Sequence, residues 1–443
     1  MMLLTATDKF SERNKLILKF MFFVLLAIYV INCFTPLRLH YDSVRYLAIK
    51  DCIEFGCPPD SDAARDYFPF GYTAWLLILS KLGILSSISI VVTNCLFLLG
   101  GLYFISKVFE KKISPYLYFI IVLLNWLFIK FVTHPLSEME YVFFSSGSIY
   151  FFYLFTRGRK IVFLFCSLLF CWLAFVTKTV GITLVGALAF GLIWEFKESQ
   201  LAFLKKNKFL IVGLLILIAA SVVLFAKQLG LNHYIGVLSK HLNEAPFFTR
   251  VAWRFTEWGE LFLNTPSNKV VERLPGLGQI LFISVGVIVF SFFCIFLYFK
   301  KNTIPAFIKA YFLFYLIIMF NWPFNDPRFW VPVMPVMAAI VLQAPLGINY
   351  FYKFSSRLLL AVYFLLGFTA AGYMIYSSNN KAFFAKNQAK GFYKKEYEMH
   401  FFNKDPKGAA STLNSSDTIR TVNIGDSVKI VNPYIMGLLK RYN

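Results

Sequence analysis

The chain has 443 residues, of which 58% are hydrophobic and 15% charged, with a formal net charge of +21. That composition is too apolar for a soluble protein of this length and implies that much of the surface faces a lipid bilayer. The basic excess does not indicate nucleic acid: Lys and Arg lie in short clusters between apolar runs, without the basic and aromatic interleaving of a nucleic-acid groove, so no such partner is expected.

In hydrocarbon only helices or closed barrels satisfy their own backbone, and the apolar runs here are about 17–23 residues long with no two-residue alternation. The expected class is therefore an all-α polytopic membrane protein. In chain order the runs fall near residues 16–37, 88–108, 114–132, 140–156, 161–177, 179–196, 209–226, 277–299, 304–320, 329–344 and 357–376, which makes eleven spans. The first lacks a small-residue cleavage site and reads as a retained helix. With a cytoplasmic N-terminus, alternate connections carry the basic clusters, Lys107 with Lys111 and Lys112, Arg157 to Lys160, Lys197 to Lys208, Lys300 with Lys301, and Lys353 with Arg357, as positive-inside topology requires. This parity holds only if the stretch Phe68 to Leu85 lies on the outer surface as an interfacial segment, which suits its Pro69, Gly71, Tyr72, Trp75 and Lys81. The outer side then receives 38–87, 133–139, 177–179, 227–276, 321–328 and the tail from Ser377.

Residues 1–376 thus form a membrane domain and 377–443 a small extracytoplasmic tail. The tail is expected to be α/β, with a strand-turn-strand over Thr418 to Pro433 bent at Gly425-Asp426, and to rest on the outer loops for support. No inverted repeat of the transporter type is present in the sequence.

Of the seven cysteines, five lie in apolar runs as small hydrophobes and none has zinc-ligand spacing. Cys52 and Cys57 instead flank Ile53-Glu54-Phe55-Gly56 in a polar loop; a disulfide and two free thiols are both open readings.

Because a carboxylate at the bilayer centre costs about 2.5–3.5 kcal/mol, working acids are expected at helix ends beside water. Asp42 occupies such an end in His40-Tyr41-Asp42-Ser43-Val44-Arg45-Tyr46. From Ser43 to Phe55 the pattern is an amphipathic helix, with Val44, Leu47, Ala48, Ile49 and Ile53 on one side. A competing account makes Asp42 only that helix's N-cap with Arg45 as its local partner. Glu138, in Thr133-His134-Pro135-Leu136-Ser137-Glu138, is a second acid beside the membrane, or simply the start of the next helix. Lys178 stands between two apolar runs, where snorkelling is its plainest role. Arg328, in Asn325-Asp326-Pro327-Arg328-Phe329-Trp330, has the planar fork that grips phosphate oxygens, or pairs with Asp326 to order the turn. There is no Walker loop and no G-x-S-x-G, and the five histidines are scattered.

Taken in order, these features resemble the GT-C superfamily of membrane glycosyltransferases, in its protein-mannosyltransferase and aminoarabinose-transferase branch, over most of residues 16–345. The resemblance rests on Asp42-x-x-Arg45-Tyr46 after the first helix, the interfacial segment with Pro69, Trp75 and Leu82-Gly83, the acid Glu138, the Val176-Thr177-Lys178 turn, and Arg328-Phe329-x-x-Pro332-x-x-Pro335. It implies transfer of a sugar from a polyprenyl-phosphate carrier to an acceptor hydroxyl of a glycan, lipid or protein at the outer membrane face, with inversion. By resemblance Asp42 deprotonates the acceptor, Arg45 lies near the carrier phosphate, and Arg328 with Lys178 stabilises the leaving phosphate.

Two departures narrow the expectation. A single acid, Asp42-Ser43, stands where many relatives have two, so a metal site needs Glu138 or Asp66; Mg²⁺ or Mn²⁺ would suit such oxygens, and a metal-free site is equally open. Asp66-Tyr67-Phe68 replaces the acid-lysine pair that some lipid A-modifying relatives carry before their proline, which argues against an aminoarabinose substrate. The expected location is the plasma (inner) membrane of a bacterium. Two other functions fit the same sequence: a flippase for lipid-linked sugars, which would need ionisable residues or broken helices near the midplane, and a non-catalytic scaffold of the same fold.

Overall fold

The computed structural model describes residues 15–110, 112–195, 236, 239–240, 245–299, 304–344, 350–388, 393–402 and 432–443. Among these residues every regular element is a helix. Helix α1 (Lys15–Asn32) leads into a non-helical segment and then α2 (Tyr41–Phe55), whose N-cap is His40. Helix α3 (Phe70–Lys81) follows, ended by Gly83 in the left-handed region, and α4 (Ser87–Val108) opens on a Ser86/Ser89 capping box. At 12 residues α3 is about 18 Å long, too short to cross a bilayer. It packs on α2 and on the C-terminal end of α8 (Ile161–Thr177), beyond α5 (Pro115–Leu123), α6 (Trp126–Phe131) and α7 (Glu138–Gly158) in the chain.

The second half contains α9 (Ile182–Glu195), α10 (Phe247–Leu263), α11 (Leu277–Cys294), α12 (Ala306–Asn321), α13 (Met334–Val341) and α14 (Tyr350–Asn379). Three shorter helices close the chain: α15 (Lys381–Gln388), α16 (Lys394–Phe402) and α17 (Pro433–Tyr442). Four stretches among the described residues are long and apolar enough to cross a membrane: Lys15–Asn32, Ser87–Val108, Leu277–Phe299 and Arg357–Asn379. Shorter apolar helices cover Ile161–Thr177, Thr179–Trp194 and Ala306–Asn321. The described residues are thus all-α, with the apolar helices of a membrane protein.

Two expected spans are broken. The run 114–132 splits at Leu124-Asn125, where the Asn125 side chain accepts from Leu127 N (3.1 Å) and donates to Leu261 O (3.2 Å). Asn264 accepts from Trp126 N and donates to Leu124 O, and the Tyr363 hydroxyl donates to Ile121 O. The side chains of Asn125, of Asn264 at the C-terminal edge of α10 and of Tyr363 in α14 therefore satisfy backbone groups that the break frees, which is what permits non-helical backbone among apolar helices. The run 329–344 is a 3₁₀ turn, Pro327–Trp330, followed by α13 of only 8 residues. Span 209–226 lies outside the described residues. The stretch 227–276, expected as a loop, contains α10 and the short helix Ser267–Val271.

Packing explains where the phenylalanines go. Helix α7 lies between α4 and α8, and Phe97, Phe104, Phe143, Phe144, Phe151 and Phe170 form one ring cluster across them, each pair contributing about 0.5–1.5 kcal/mol beyond its buried area. Helices α10 and α11 approach through glycine: a Cβ on Gly286 would sit 1.8 Å from Phe255 O, so their backbones touch there.

The tail is helical where it is described, and the expected strand-turn-strand lies outside the described residues apart from Asn432, which caps α17, and Pro433, which begins it. Its helices rest on the segment before α2. Tyr397 Oη accepts from Leu39 N (3.0 Å) and donates to Leu37 O (2.6 Å). Arg38, 3% exposed, donates to Ser377 and Ser378 and lies over Phe384. From α17, Tyr442 Oη meets Lys50 Nζ at 3.0 Å, while Arg441 and Tyr434 bind Asp51. Helix α14 runs through residue 376, so the membrane part and the tail share a continuous helix.

Cys52 and Cys57 form a disulfide, with Cα atoms 4.9 Å apart. So small a loop constrains little of the unfolded chain, and Cys57→Ser is expected to cost no more than about 2 kcal/mol, measured as a modest fall in thermal midpoint. Maleimide should label Cys52 and Cys57 only after reduction.

Candidate active site

Four separate segments bring charge to one end of the helices. Helices α1, α8 and α12 run toward this end, and α4 and α7 run away from it: Ser87 Oγ, in the first turn of α4, donates to Thr35 O just beyond α1. Asp42 stands in the first turn of α2, Glu138 begins α7, Lys178 is the C-cap of α8, and Arg328 lies in the 3₁₀ turn after α12. Arg328 Nη2 is 2.5 Å from Asp42 Oδ2, and its Nε is 3.6 Å from Glu138 Oε1 and 3.4 Å from Asp326 Oδ2. Lys178 Nζ donates to Glu138 Oε1 at 2.6 Å. Side-chain exposure is 6% for Arg328 and 3% for Glu138, against 21% for Asp42 and 29% for Asp326. Arg328 thus joins Asp42 to Glu138 in one closed cluster, with the Asp42 and Asp326 side the accessible one.

Local sequence explains the placement. His40 accepts from Asp42 N through Nδ1 (3.4 Å) and so caps α2, which frees the Asp42 carboxylate from the N-cap role expected of it. Arg45, expected beside Asp42, turns to Asp66 instead, with Nε–Oδ2 2.8 Å and Nη2–Oδ1 2.6 Å, and lies 3.6 Å over the Phe68 ring. That fork-on-carboxylate geometry fixes Asp66 away from Asp42. Among the described residues no group of three or more His, Cys, Asp or Glu side chains is arranged to hold a metal ion, and both Asp42 and Glu138 are matched by cations rather than left as a bare acidic pair.

The electrostatics follow. Burial would raise the Asp42 carboxyl, but Arg328 and then His40 outweigh it and hold Asp42 below the usual carboxylate range. Burial and the facing Arg328 push His40 down, which keeps its ring neutral at neutral pH and its Nδ1 an acceptor. Burial works against the Arg328 cation, and Asp42, Glu138 and Asp326 more than offset it.

Lys130, at the end of α6 and exposed, is an electrostatic neighbour of Asp326, Arg328 and His40 and lies 4.7 Å over the Phe131 ring. Three cations, Arg328, Lys178 and Lys130, thus face three carboxylates, Asp42, Glu138 and Asp326.

A second residue set went unrecognised in the sequence. Helix α10 carries Arg250, Arg254, Glu257 and Glu260 at helical spacing, all buried, and clamps the turn that bears Arg328. Arg250 Nη1 donates to Asn321 O (3.1 Å) and Arg254 Nη2 to Phe324 O (2.5 Å). Glu257 accepts from Asp326 N (3.0 Å) and Trp330 Nε1 (2.7 Å). Arg254 and Glu257 pair at 2.9 Å with both side chains fully buried. Removing one member of such a pair strands the other, so Glu257→Gln is expected to cost about 3–5 kcal/mol, visible as a large drop in thermal midpoint in detergent. The spacing at 250, 254, 257 and 260 was the available signal, hidden because charge in a presumed loop reads as solvated.

The chain matches no known protein family, curated protein or solved structure in these comparisons.

Proposed function

We propose that the protein is a membrane glycosyltransferase of GT-C type, which moves a sugar from a polyprenyl-phosphate carrier to an acceptor hydroxyl of a glycan, lipid or protein. The observation that carries the reading is the meeting of Asp42, Glu138, Lys178 and Arg328 from four distant segments at one helix end, with Asp42 on the accessible side.

The chemistry works by competition for Arg328. In the resting state its guanidinium neutralises Asp42 and makes that carboxylate a poor base. A carrier phosphate, with more charge and a matching fork geometry, draws Arg328 and Lys130 toward itself. Asp42, released, takes the proton of the acceptor hydroxyl as that oxygen attacks the anomeric carbon, while the sugar–phosphate bond breaks and its electron pair leaves on the phosphate. Arg328 stabilises that growing charge, and Lys178 holds Glu138 so that Glu138 does not compete for the guanidinium. Arg45, engaged by Asp66, fixes the polar wall beside the site in place of the phosphate contact first expected of it.

A cytoplasmic N-terminus with the charged cluster on the outer side belongs to the same proposal. The basic ends of α4 and α7 and the start of α8 lie opposite the cluster, and a disulfide at Cys52 and Cys57 suits an oxidising compartment. The closed state of the cluster favours one second reading, a scaffold locked by ion pairs. Cellular function retained after Asp42→Asn would favour that reading over the enzyme.

A further inference from the structure

On the side of α7 away from the charged cluster, a cleft of about 300 Å³ opens between α3, α7 and α8. Glu138 and Glu140 are two residues apart, hence about 200° apart around the helix, so one faces Arg328 and the other this cleft. The lining is apolar except for Glu140, Thr177 and the indoles of Trp75 and Trp172. Glu140 is 4% exposed, and its Oε2 has no hydrogen-bond partner; Trp75 Nε1 and Trp172 Nε1 are also buried and unpartnered. Three such atoms on residues that line one cleft are unusual, because each buried polar group left unpaired costs about 1–3 kcal/mol. The cleft is built by close contact: a Cβ on Gly71 would lie 2.6 Å from Thr177 Oγ1, so glycine lets α3 close on the end of α8. Its rim, Phe70 and Ile78, is exposed and apolar.

We infer that this cleft binds a hydroxyl-bearing lipid, with the hydroxyl seated between the Glu140 carboxyl and the indole N–H groups of Trp75 and Trp172. A hydroxyl donates to a carboxyl and accepts from an N–H, so one group satisfies both kinds of unpaired atom. An ammonium head group would satisfy Glu140 and leave the indoles unpaired; a phosphate would bring its charge into a cleft lined by no Lys or Arg. The volume, at the low end for ligand pockets, fits the head and first carbons of such a lipid, whose chain continues over Phe70 and Ile78 into the bilayer. The site stands apart from the transfer chemistry and does not depend on it.

The test is photo-crosslinking of the full chain in nanodiscs, using diazirine-tagged diacylglycerol, a diazirine-tagged polyprenol, and the O-methyl ether of each. At least one alcohol should label residues 70–78, 140–144 or 172–177 at least tenfold more than its ether, and which alcohol does so names the source. Trp172→Phe, which keeps the ring and removes the N–H, should reduce that labelling several-fold at an unchanged thermal midpoint; Glu140→Leu should abolish it, and Trp172→Phe alone decides if Glu140→Leu does not fold. Equal labelling by alcohol and ether, stronger labelling by a diazirine-tagged phosphatidylethanolamine, or labelling indifferent to Trp172→Phe would overturn the inference.

Discussion

Asp42→Asn is expected to lower sugar transfer by about 100-fold to 10 000-fold, the range that positioned general bases contribute, while the protein remains folded. The fold survives because Arg328 keeps Glu138 at 3.6 Å and Asp326 at 3.4 Å after Asp42 is neutralised. The loss of one charge-assisted hydrogen bond is expected to cost about 1–3 kcal/mol. The sign of the pH dependence is fixed by the same pairing. Asp42 is held below its ordinary range in the folded chain, so its stabilising contribution is complete above about pH 4 and is lost only as pH falls further, through the depressed value. Wild type and Asp42→Asn should therefore differ in stability at neutral pH and converge in strong acid.

Arg328→Met is expected to have the largest effect on the molecule as a whole. One guanidinium serves Asp42, Glu138 and Asp326, and methionine would leave three carboxylates facing each other with Lys178 bound to only one of them. Breaking a buried charge arrangement by removing one member costs about 3–5 kcal/mol, which here implies a marked fall in thermal midpoint and loss of polyprenyl-phosphate binding. Arg328→Lys separates the two roles: it restores charge without the fork, so stability should largely recover while phosphate binding stays weak. Binding of polyprenyl phosphate to the three proteins in detergent, followed alongside thermal unfolding, checks this. Equal affinity for wild type and Arg328→Met would remove Arg328 from the phosphate site.

Much of this arrangement was legible in the sequence because helix ends are marked by chemistry. Asp42, Glu138, Lys178 and Arg328 each stand where an apolar run stops, and a charge there belongs beside water. That α3 would stop short of a full span was legible from Pro69 and Lys81, which interrupt an otherwise apolar stretch. What the sequence concealed were partners. Asp42 and Arg45 are one helical turn apart and pair readily on paper, yet Asp66 offers Arg45 two oxygens and Arg328 reaches Asp42 across 286 residues. The breaks at Leu124-Asn125 and before α13 were hidden for a related reason. Continuous apolar runs look like continuous helices, and the groups that make a break tolerable, Asn264 and Tyr363, come from elsewhere in the chain. The buried stripe of α10 was concealed by its own charge.

The most direct test of the transfer reading is the lipid-linked sugar pool, measured by mass spectrometry in cells that carry the wild-type chain, Asp42→Asn, or no copy. Accumulation of one polyprenyl-phosphate sugar in the last two, with loss of one surface glycan, is the predicted result. Identical pools and identical glycans in all three would contradict it.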